Sequence, residues 1–369
     1  MLPARNERDA EVELGRAPAE GHADAPVPAA AHELSLGDRR WRGFAASHAD
    51  SLAFHRPEWA ELLAECYGCR PFALAQLDSD GSIAGGLPVL ELKRFGRRRW
   101  VALPFSDMCP PLLGPRLDAG AFTQAIEHAR RQADVRSLEV RASLPGHHRH
   151  GAAVVHRTSL ERDPEALFAR FHRSQVQRNV LRAERERVVV RRAETQADLT
   201  RSFYRLQVAT RRRLGMPAQP RRFFESLWTR LLEQELGFLL LAYVGTEPVA
   251  GGVFLLGSTT MTYKYGASDA AFWRLRPNHL VFWSAMRSAC ELGYRWFDFG
   301  RSDLNDRGLR EFKAGWAARE EPLVYTSLAD RTPRKASSGR SLAVARALLR
   351  RSPAWVCRAS GELLYRYSA

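Results

Sequence analysis

The stretch that decides the fold is Tyr294–Trp316, YRWFDFGRSDLNDRGLREFKAGW. It opens with an aromatic, β-prone run from Trp296 to Phe299, and Gly300 ends that run. Polar and charged side chains then crowd the following positions, up to Gly315 and Trp316. The pattern predicts a strand that delivers a polar loop and then a short amphipathic turn.

Two blocks of sequence occur twice in the same order. Residues 83–90, IAGGLPVL, align with residues 249–256, VAGGVFLL, and residues 136–143 align with residues 295–302. Each copy belongs to a pattern of three strands, a helix and a further strand. This repetition predicts two similar domains side by side, with the substrate site in the cleft between them.

We therefore predict an α+β chain with mixed, largely antiparallel sheets flanked by helices. The predicted parts are a disordered leader at 1–35, an N-terminal domain at 36–158, a C-terminal domain at 159–328, and a basic linker with a helical tail at 329–369. The leader is rich in Ala, Pro, Glu and Asp and shows no apolar period. The tail contains two helical pieces, 342–351 and 354–367, broken at Pro353.

Composition indicates a globular protein. Hydrophobic residues make up 45% of the 369 positions, which supports an apolar core. The sequence has no run of eighteen apolar residues and no apolar signal-peptide core, so we expect a cytoplasmic protein. Five scattered cysteines do not suggest a disulfide framework, and three histidines at 147, 148 and 150 fit a solvent-facing turn better than a metal site.

The net charge of +15 comes from two local concentrations of arginine. Residues 170–222 hold fifteen Arg against four acids, and residues 331–369 hold nine Arg and Lys against one acid. Such surfaces suit a polyanion such as RNA, a nucleotide-linked donor or an anionic membrane, whereas solvated helix faces are the alternative. The tail helices, with Trp355 and several leucines, fit either peripheral contact with an anionic membrane or packing against the body.

A meander, a helix and a further strand form the order of the GNAT acyltransferase core, and two such units in tandem resemble the Fem family of aminoacyltransferases. The residues that carry the resemblance are Tyr263–Ser268, Arg276–Leu280 with Trp283, Phe297–Gly300 and Gly308–Trp316. The resemblance implies transfer of an aminoacyl group from aminoacyl-tRNA to a peptidoglycan precursor. Similar chains are linked with acetylation or exopolysaccharide assembly.

The sequence departs from these relatives in two places. No heptad run matches the long helical hairpin of some Fem proteins, which weakens tRNA binding by that device. The turn at 268–278, SDAAFWRLRPN, lacks the glycines with which acyl-CoA enzymes of the GNAT class hold pyrophosphate. Arg274 and Arg276 remain able to hold phosphates as side chains. The donor is therefore aminoacyl-tRNA or acyl-CoA, and no bound cofactor is expected.

Direct acyl transfer requires positioning, a proton acceptor and a cation for the developing oxyanion. Lys313, one of four lysines in the chain, matches the lysine that has the oxyanion role in the Fem-like segment, although an exposed helix lysine is the alternative. Asp298 is the candidate base, with a structural carboxylate paired to Arg301 as the alternative. Asp107 matches the acid at the corresponding end of the first meander in the Fem pattern and is the candidate for contact with the acceptor, with a turn aspartate before Pro110 as the alternative.

The remaining candidates are substrate-binding residues. Tyr263 and Tyr265 are expected on one strand face, lining the acceptor groove or packing in the core. Arg301 and Arg310 suit a phosphate-bearing acceptor or donor, and Asn305 is a further substrate-binding candidate.

The predicted function is acyl or aminoacyl transfer to an amine or hydroxyl of a cell-envelope precursor, peptidoglycan or exopolysaccharide. The alternatives are an acyl-CoA-dependent N-acetyltransferase and a non-catalytic module that binds a glycan precursor or RNA.

Overall fold

A computed structural model describes residues 30–94, 96–330 and 339–365. The described strands are β1 Ala31–Leu34, β2 Arg70–Leu77, β3 Ile83–Arg94, β4 Arg97–Val101, β5 Leu112–Leu113, β6 Ser137–Val140, β7 His148–Ser159, β8 Val189–Arg192, β9 Gly237–Val244, β10 Glu247–Leu256, β11 Thr260–Ser268, β12 Trp296–Asp303 and β13 Arg319–Ala329. The α-helices are α1 Arg39–Ser47, α2 Pro57–Tyr67, α3 Ala119–Gln132, α4 Pro164–Ala169, α5 Arg178–Arg185, α6 Tyr204–Leu214, α7 Arg221–Leu227, α8 Pro277–Glu291, α9 Arg307–Ala314, α10 Gly339–Arg351 and α11 Ala354–Leu364.

All of these strands join one sheet, in the order β1-β2-β3-β4-β6-β13-β7-β12-β11-β10-β9-β8, with β5 beside β3. In the first half β2, β3 and β4 form an antiparallel meander, and β6 returns parallel to β4 after α3. In the second half β9, β10 and β11 form the meander, and β12 returns parallel to β11 after α8. The two repeated blocks thus occupy equivalent places, β3 with β10 and β6 with β12, as the repetition predicts.

The last strand of each half crosses into the other half. β7 follows β6 in the chain but pairs with β12, whereas β13 lies between β6 and β7 and pairs with both. The sheet is therefore continuous across the boundary predicted after residue 158, which falls at the end of β7.

Several expectations need correction. The three-histidine segment is not a turn throughout, because His148 starts the long strand β7, although His148 and His150 are exposed to solvent as expected. The predicted leader lies outside the described residues up to residue 29, but its final part forms β1, which pairs with β2. The helix expected over 164–187 is divided into α4, a π-helical turn at Arg173–Gln177 and α5. The strand β13 was not anticipated at all.

The tail helices pack against the body through α6. The Cys357 side chain on α11 is fully buried, and its Sγ contacts the Met216 carbonyl oxygen at 3.2 Å. Arg222 pairs with Glu362 at 3.0 Å. Across the described parts of the chain, no helix combines the length and apolar character that crossing a membrane requires.

We expect the exchange of β7 and β13 to contribute directly to stability through Thr326. This buried hydroxyl on β13 accepts a hydrogen bond from the Leu144 N–H and donates one to the Ala142 carbonyl oxygen, both at 2.8 Å. Thr326→Val leaves that buried N–H without an acceptor, so the free energy of unfolding should fall by about 1–3 kcal/mol in urea titration. Thr229→Val, at an exposed threonine on the helical segment after α7, is the matched control, and an equal loss in both variants would contradict this role.

Candidate functional site

The site lies where the two parallel strands of the second half separate. β11 and β12 pair only from Thr260–Thr262 to Trp296–Asp298. β12 pairs with β7 both before and after this point, with a register shift between Asp298 and Arg301. Within the described residues the pairing of β11 with β12 ends at Asp298. The two strands therefore diverge inside the segment Tyr294–Trp316, where the aromatic run meets the polar loop.

β11 carries an extra residue at the same level. Its register against β10 shifts so that Tyr263 faces Phe254 and Tyr265 faces Val253, which leaves Lys264 as a bulge. A bulge reverses the alternation of side chains, and the two tyrosines consequently lie on opposite faces. The expectation that they share one face is wrong.

Both tyrosines are enclosed by aromatic neighbours. The Tyr265 ring lies 5.7 Å from the Phe223 ring in the first apolar core, whereas the Tyr263 ring lies 4.6 Å from Phe282 against the second core. Burial raises the pKa of each phenol. Their contribution to the acceptor groove stays a prediction.

Asp107 from the first half contacts the backbone of β12. Gly300 has φ +70°, and a Cβ added there would lie 2.6 Å from the Asp107 Oδ2. Asp107 follows a strained segment in which two non-glycine residues, Leu103 and Phe105, have φ of 51° and 66°. The Tyr325 hydroxyl on β13 donates to the Asp107 carbonyl oxygen at 2.7 Å. A carboxylate of the first half therefore lies against a strand of the second half at this point.

Asp298 is buried at the divergence of the strands. Its Oδ1 accepts a hydrogen bond from the Gly300 N–H at 2.7 Å, and its side chain is withdrawn from solvent. Burial, reinforced by the Asp107 charge, raises the pKa of Asp298 to about 6. The alternative pairing with Arg301 is wrong, because Arg301 bonds Asp303 at 2.7 Å.

Lys313 is a buried cation rather than an exposed helix lysine. It is 3% exposed, and its Nζ donates to the Gly300 and Arg301 carbonyl oxygens at 2.8 and 3.0 Å. Burial lowers the pKa of Lys313 to about 8, although the Asp107 and Asp298 charges oppose that shift. An ammonium has three N–H donors, so one remains beyond the two carbonyl contacts.

Lys264 completes the cluster and was not among the predicted site residues. Its Nζ donates to the Phe105 carbonyl oxygen at 2.5 Å and lies 3.9 Å from the Asp107 Oδ1. The ammonium also lies 5.1 Å from the centroid of the Phe54 ring. Burial lowers the pKa of Lys264. The sequence has only four lysines, and this rarity could have marked Lys264 as a candidate site residue. The bulge that directs its side chain toward Asp107 could not be predicted from the sequence.

The other predicted residues lie outside this buried cluster. Arg310 forms two hydrogen bonds with Glu320, each 2.8 Å long, and thereby joins α9 to β13. Arg301 directs its side chain to Asp303, although its carbonyl oxygen accepts from Lys313. Asn305 is exposed in the turn before α9. The structure thus brings together Asp107, Asp298 and Lys313 and leaves these three side chains at the rim.

The turn between β11 and α8 uses its polar groups internally. Trp273 Nε1 and Asn278 Nδ2 both donate to the Ser268 hydroxyl, at 3.0 and 3.3 Å. The helix begins at Pro277, which has no N–H. The usual backbone donors of a helix N-terminus are therefore reduced, in line with the absence of glycines in the turn.

Part of the sequence is similar to a known protein family. Residues 170–314 match the family model described as "Acetyltransferase (GNAT) domain". The matched segment, which is less than half of the chain, contains Asp298 and Lys313. No curated protein sequence matches the chain.

The whole fold is similar to that of FemX. The two structures have a TM-score of 0.65 at 15% sequence identity, over 81% of this chain and 97% of FemX. L-PGS from Bacillus licheniformis has a TM-score of 0.54 at 12% identity, over 86% of this chain and 99% of its own. The C-terminal domain of a protein described as a lysylphosphatidylglycerol synthetase, from Agrobacterium fabrum, has a TM-score of 0.52 at 13% identity, over 83% and 93% of the two chains. The predicted fold class and the predicted resemblance are confirmed.

Substitution of Gly300 tests the contact between the halves. Gly300→Ala introduces a methyl group where both the backbone conformation and the Asp107 carboxylate oppose it, so stability in urea should fall by about 2–4 kcal/mol. Gly293→Ala is the matched control, because Gly293 has φ +79° and nothing within 4 Å of the added Cβ. Asp107→Ala should restore part of the excess loss in Gly300→Ala. No restoration would contradict the contact.

Neutralising Asp298 should change how stability depends on pH. Its pKa is raised in the folded state, so the folded protein binds more protons than the unfolded chain between pH 3.8 and about 6. Ionisation therefore costs stability as pH rises through that window. Relative to the unaltered protein, Asp298→Asn should gain roughly 2–3 kcal/mol between pH 4 and pH 7, measured by urea unfolding at both values. A difference that stays constant with pH would rule out the raised pKa.

Proposed function

We propose that this protein is an acyltransferase that moves an aminoacyl or acyl group onto an amine or hydroxyl of a cell-envelope precursor. The observation that carries the proposal is the set formed by buried Asp298, buried Lys313 and the partly exposed Asp107 at the divergence of β11 and β12. Two carboxylates and a cation can handle both a proton and a developing negative charge, and of the three groups Asp298 and Lys313 are shielded from water.

The reaction proceeds by direct attack. The acceptor amine or hydroxyl forms a bond to the carbonyl carbon of the donor, and the carbonyl π electrons move onto oxygen. Asp298, with a pKa near neutrality, accepts the proton that the nucleophile loses. When the tetrahedral intermediate collapses, the bond to the leaving oxygen or sulfur breaks, and the proton passes to that leaving group.

Lys313 is the group proposed to stabilise the oxyanion. Its two hydrogen bonds to β12 carbonyl oxygens fix the ammonium, and the remaining N–H is the donor assigned to the substrate. A pKa of about 8 leaves the group mostly protonated at neutral pH. Fixed cations of this kind act without reorganising during the reaction.

Unpaired polar atoms near the cluster support a substrate site. The hydroxyl oxygens of Thr262 on β11 and Ser302 on β12 are buried, and neither has a hydrogen-bond partner among the described residues. The Arg141 Nε is in the same situation beside the Asp107 segment. Buried groups of this kind are uncommon in proteins unless they serve a ligand or bound water.

Aminoacyl-tRNA is our first choice of donor. The turn before α8 is occupied by its own hydrogen bonds, which disfavours a pyrophosphate cradle there, and the basic surface over 170–222 suits a polyanion. An acyl-CoA donor is the second candidate. Arg276 favours it, because its buried Nε lacks a partner in the described structure and lies at the start of α8.

The acceptor class is proposed from the comparisons. The Agrobacterium fabrum neighbour is described as a lysylphosphatidylglycerol synthetase, a name that specifies a lipid product. A peptidoglycan or exopolysaccharide precursor presented at the cytoplasmic side of the membrane fits both that likeness and the likeness to FemX.

The decisive experiment measures transfer with two donors. Purified protein is given aminoacyl-tRNA carrying a labelled amino acid, or labelled acetyl-CoA, together with amine-bearing peptidoglycan precursor. Transfer from the charged tRNA is expected. Transfer from acetyl-CoA alone would establish the second candidate, and no transfer from either donor would favour a binding module without catalysis.

Lys313→Met should abolish most of this turnover. Loss of an oxyanion donor is expected to reduce kcat by a factor on the order of 100 or more. Lys93→Met is the control, since the Lys93 side chain is 72% exposed, and it should retain full activity. Thermal unfolding of both variants checks that they remain folded. Full activity in folded Lys313→Met would exclude Lys313 as the catalytic cation.

A further inference from the structure

We propose that the outward faces of α10 and α11 form a docking surface for an anionic membrane. We define this surface, the tail face, by four apolar residues and two arginines: Val344, Leu348, Arg351, Trp355, Arg358 and Leu363. The proposal goes beyond the acyl-transfer activity and does not depend on it.

The apolar part of the tail face is exposed although the helices are docked. Val344, Leu348, Trp355 and Leu363 are 60%, 66%, 62% and 64% exposed. Val344 and Leu348 are four residues apart and therefore lie on one side of α10. Exposed large apolar side chains concentrated on one segment indicate a contact surface rather than ordinary surface composition.

The inner sides of the same helices contact the body of the protein. On α11, Cys357 is buried against Met216, and a Cβ at Gly361 would lie 1.7 Å from the Ala218 carbonyl oxygen. On α10, the Arg346 carbonyl oxygen lies 2.5 Å from the position of a Cβ at Gly215, at the end of α6. α11 is therefore held by its inner side, and α10 approaches the body through the Arg346 backbone, so the exposed apolar side chains lie on the sides away from these contacts.

The charges around the tail face have one sign. Residues 339–365 contain five arginines and one acid, Glu362, and that acid pairs with Arg222 on α7. Arg351 lies seven residues after Val344, and Arg358 lies three residues after Trp355, so each helix carries an arginine beside its exposed apolar side chains. The surface is therefore complementary to a negatively charged partner.

An anionic bilayer satisfies both the charge and the apolar exposure. Trp and Leu side chains insert at the level of the head groups, while arginines reach the phosphates beside them. The helices have thirteen and eleven residues, which suits helices that lie in the interface and is too short for a span. A nucleic acid would match the arginines but not the exposed Leu348 and Leu363.

The tail is also connected to the candidate site. The Tyr365 ring, at the end of α11, lies 5.7 Å from the Phe105 ring, and the Phe105 carbonyl oxygen accepts from Lys264. Docking through the tail face would thus hold the segment that delivers Asp107 close to the membrane surface.

Vesicle co-sedimentation of the full chain tests the proposal. The vesicles contain phosphatidylcholine alone or phosphatidylcholine with 30% phosphatidylglycerol. We expect binding to the anionic vesicles and little binding to the neutral ones, with strong weakening at 0.5 M salt. The double variant Arg351→Gln with Arg358→Gln should reduce the partition coefficient about 30-fold. Leu348→Ser with Trp355→Ser should reduce it by at least about 10-fold.

Controls separate the tail face from general surface properties. Leu292→Ser removes an equally exposed leucine, and Arg287→Gln removes an exposed arginine, and both should leave vesicle binding unchanged. No binding to anionic vesicles, or equal loss in the controls, would overturn the proposal. A dimer in light scattering that disappears in Leu348→Ser with Trp355→Ser would show instead that the tail face binds a second copy.

Discussion

The pairing of β13 with both β6 and β7 is the constraint on which the rest of the structure depends. By placing the last strand of each half inside the other half's part of the sheet, it makes two similar units into one body. Side-chain hydrogen bonds from β13 then hold two segments of the first half. Thr326 bonds the segment after β6, and Tyr325 bonds the Asp107 backbone. A cleft between freely moving domains could not hold a carboxylate against a neighbouring strand in this way.

Two irregularities in strand pairing create the candidate functional site in this sheet. The bulge at Lys264 and the register shift after Asp298 occur on neighbouring strands, at the point where those strands part. They aim Lys264 toward Asp107, and they present two backbone carbonyl oxygens to Lys313. Each half contributes charge to the cluster, so neither half alone contains the arrangement on which the proposed chemistry rests.

The sequence predicts the parts of this structure that are local and repeated. The strands of both meanders are visible from their apolar runs, and the matched Gly-Gly blocks reveal the duplication. β7 and β13 are not visible, because their residues, HRHGAAVVHRTS and REEPLVYTSLA, are polar and their pairing partners are distant in sequence. Because β13 could not be predicted, the ion pair of Arg310 with Glu320 on that strand could not be predicted either. The bulge at Lys264 has no local signature, so strict alternation misplaced Tyr263 and Tyr265.

The central claim is that carboxylates from the two halves interact across the cleft. Nuclear magnetic resonance titration of the Asp298 carboxyl carbon, in the unaltered protein and in Asp107→Asn, measures that interaction directly. The account predicts a pKa of about 6 for Asp298 in the unaltered protein and a lower value once the Asp107 charge is removed. An Asp298 pKa that is the same in both proteins would contradict an interaction between the two carboxylates at this site.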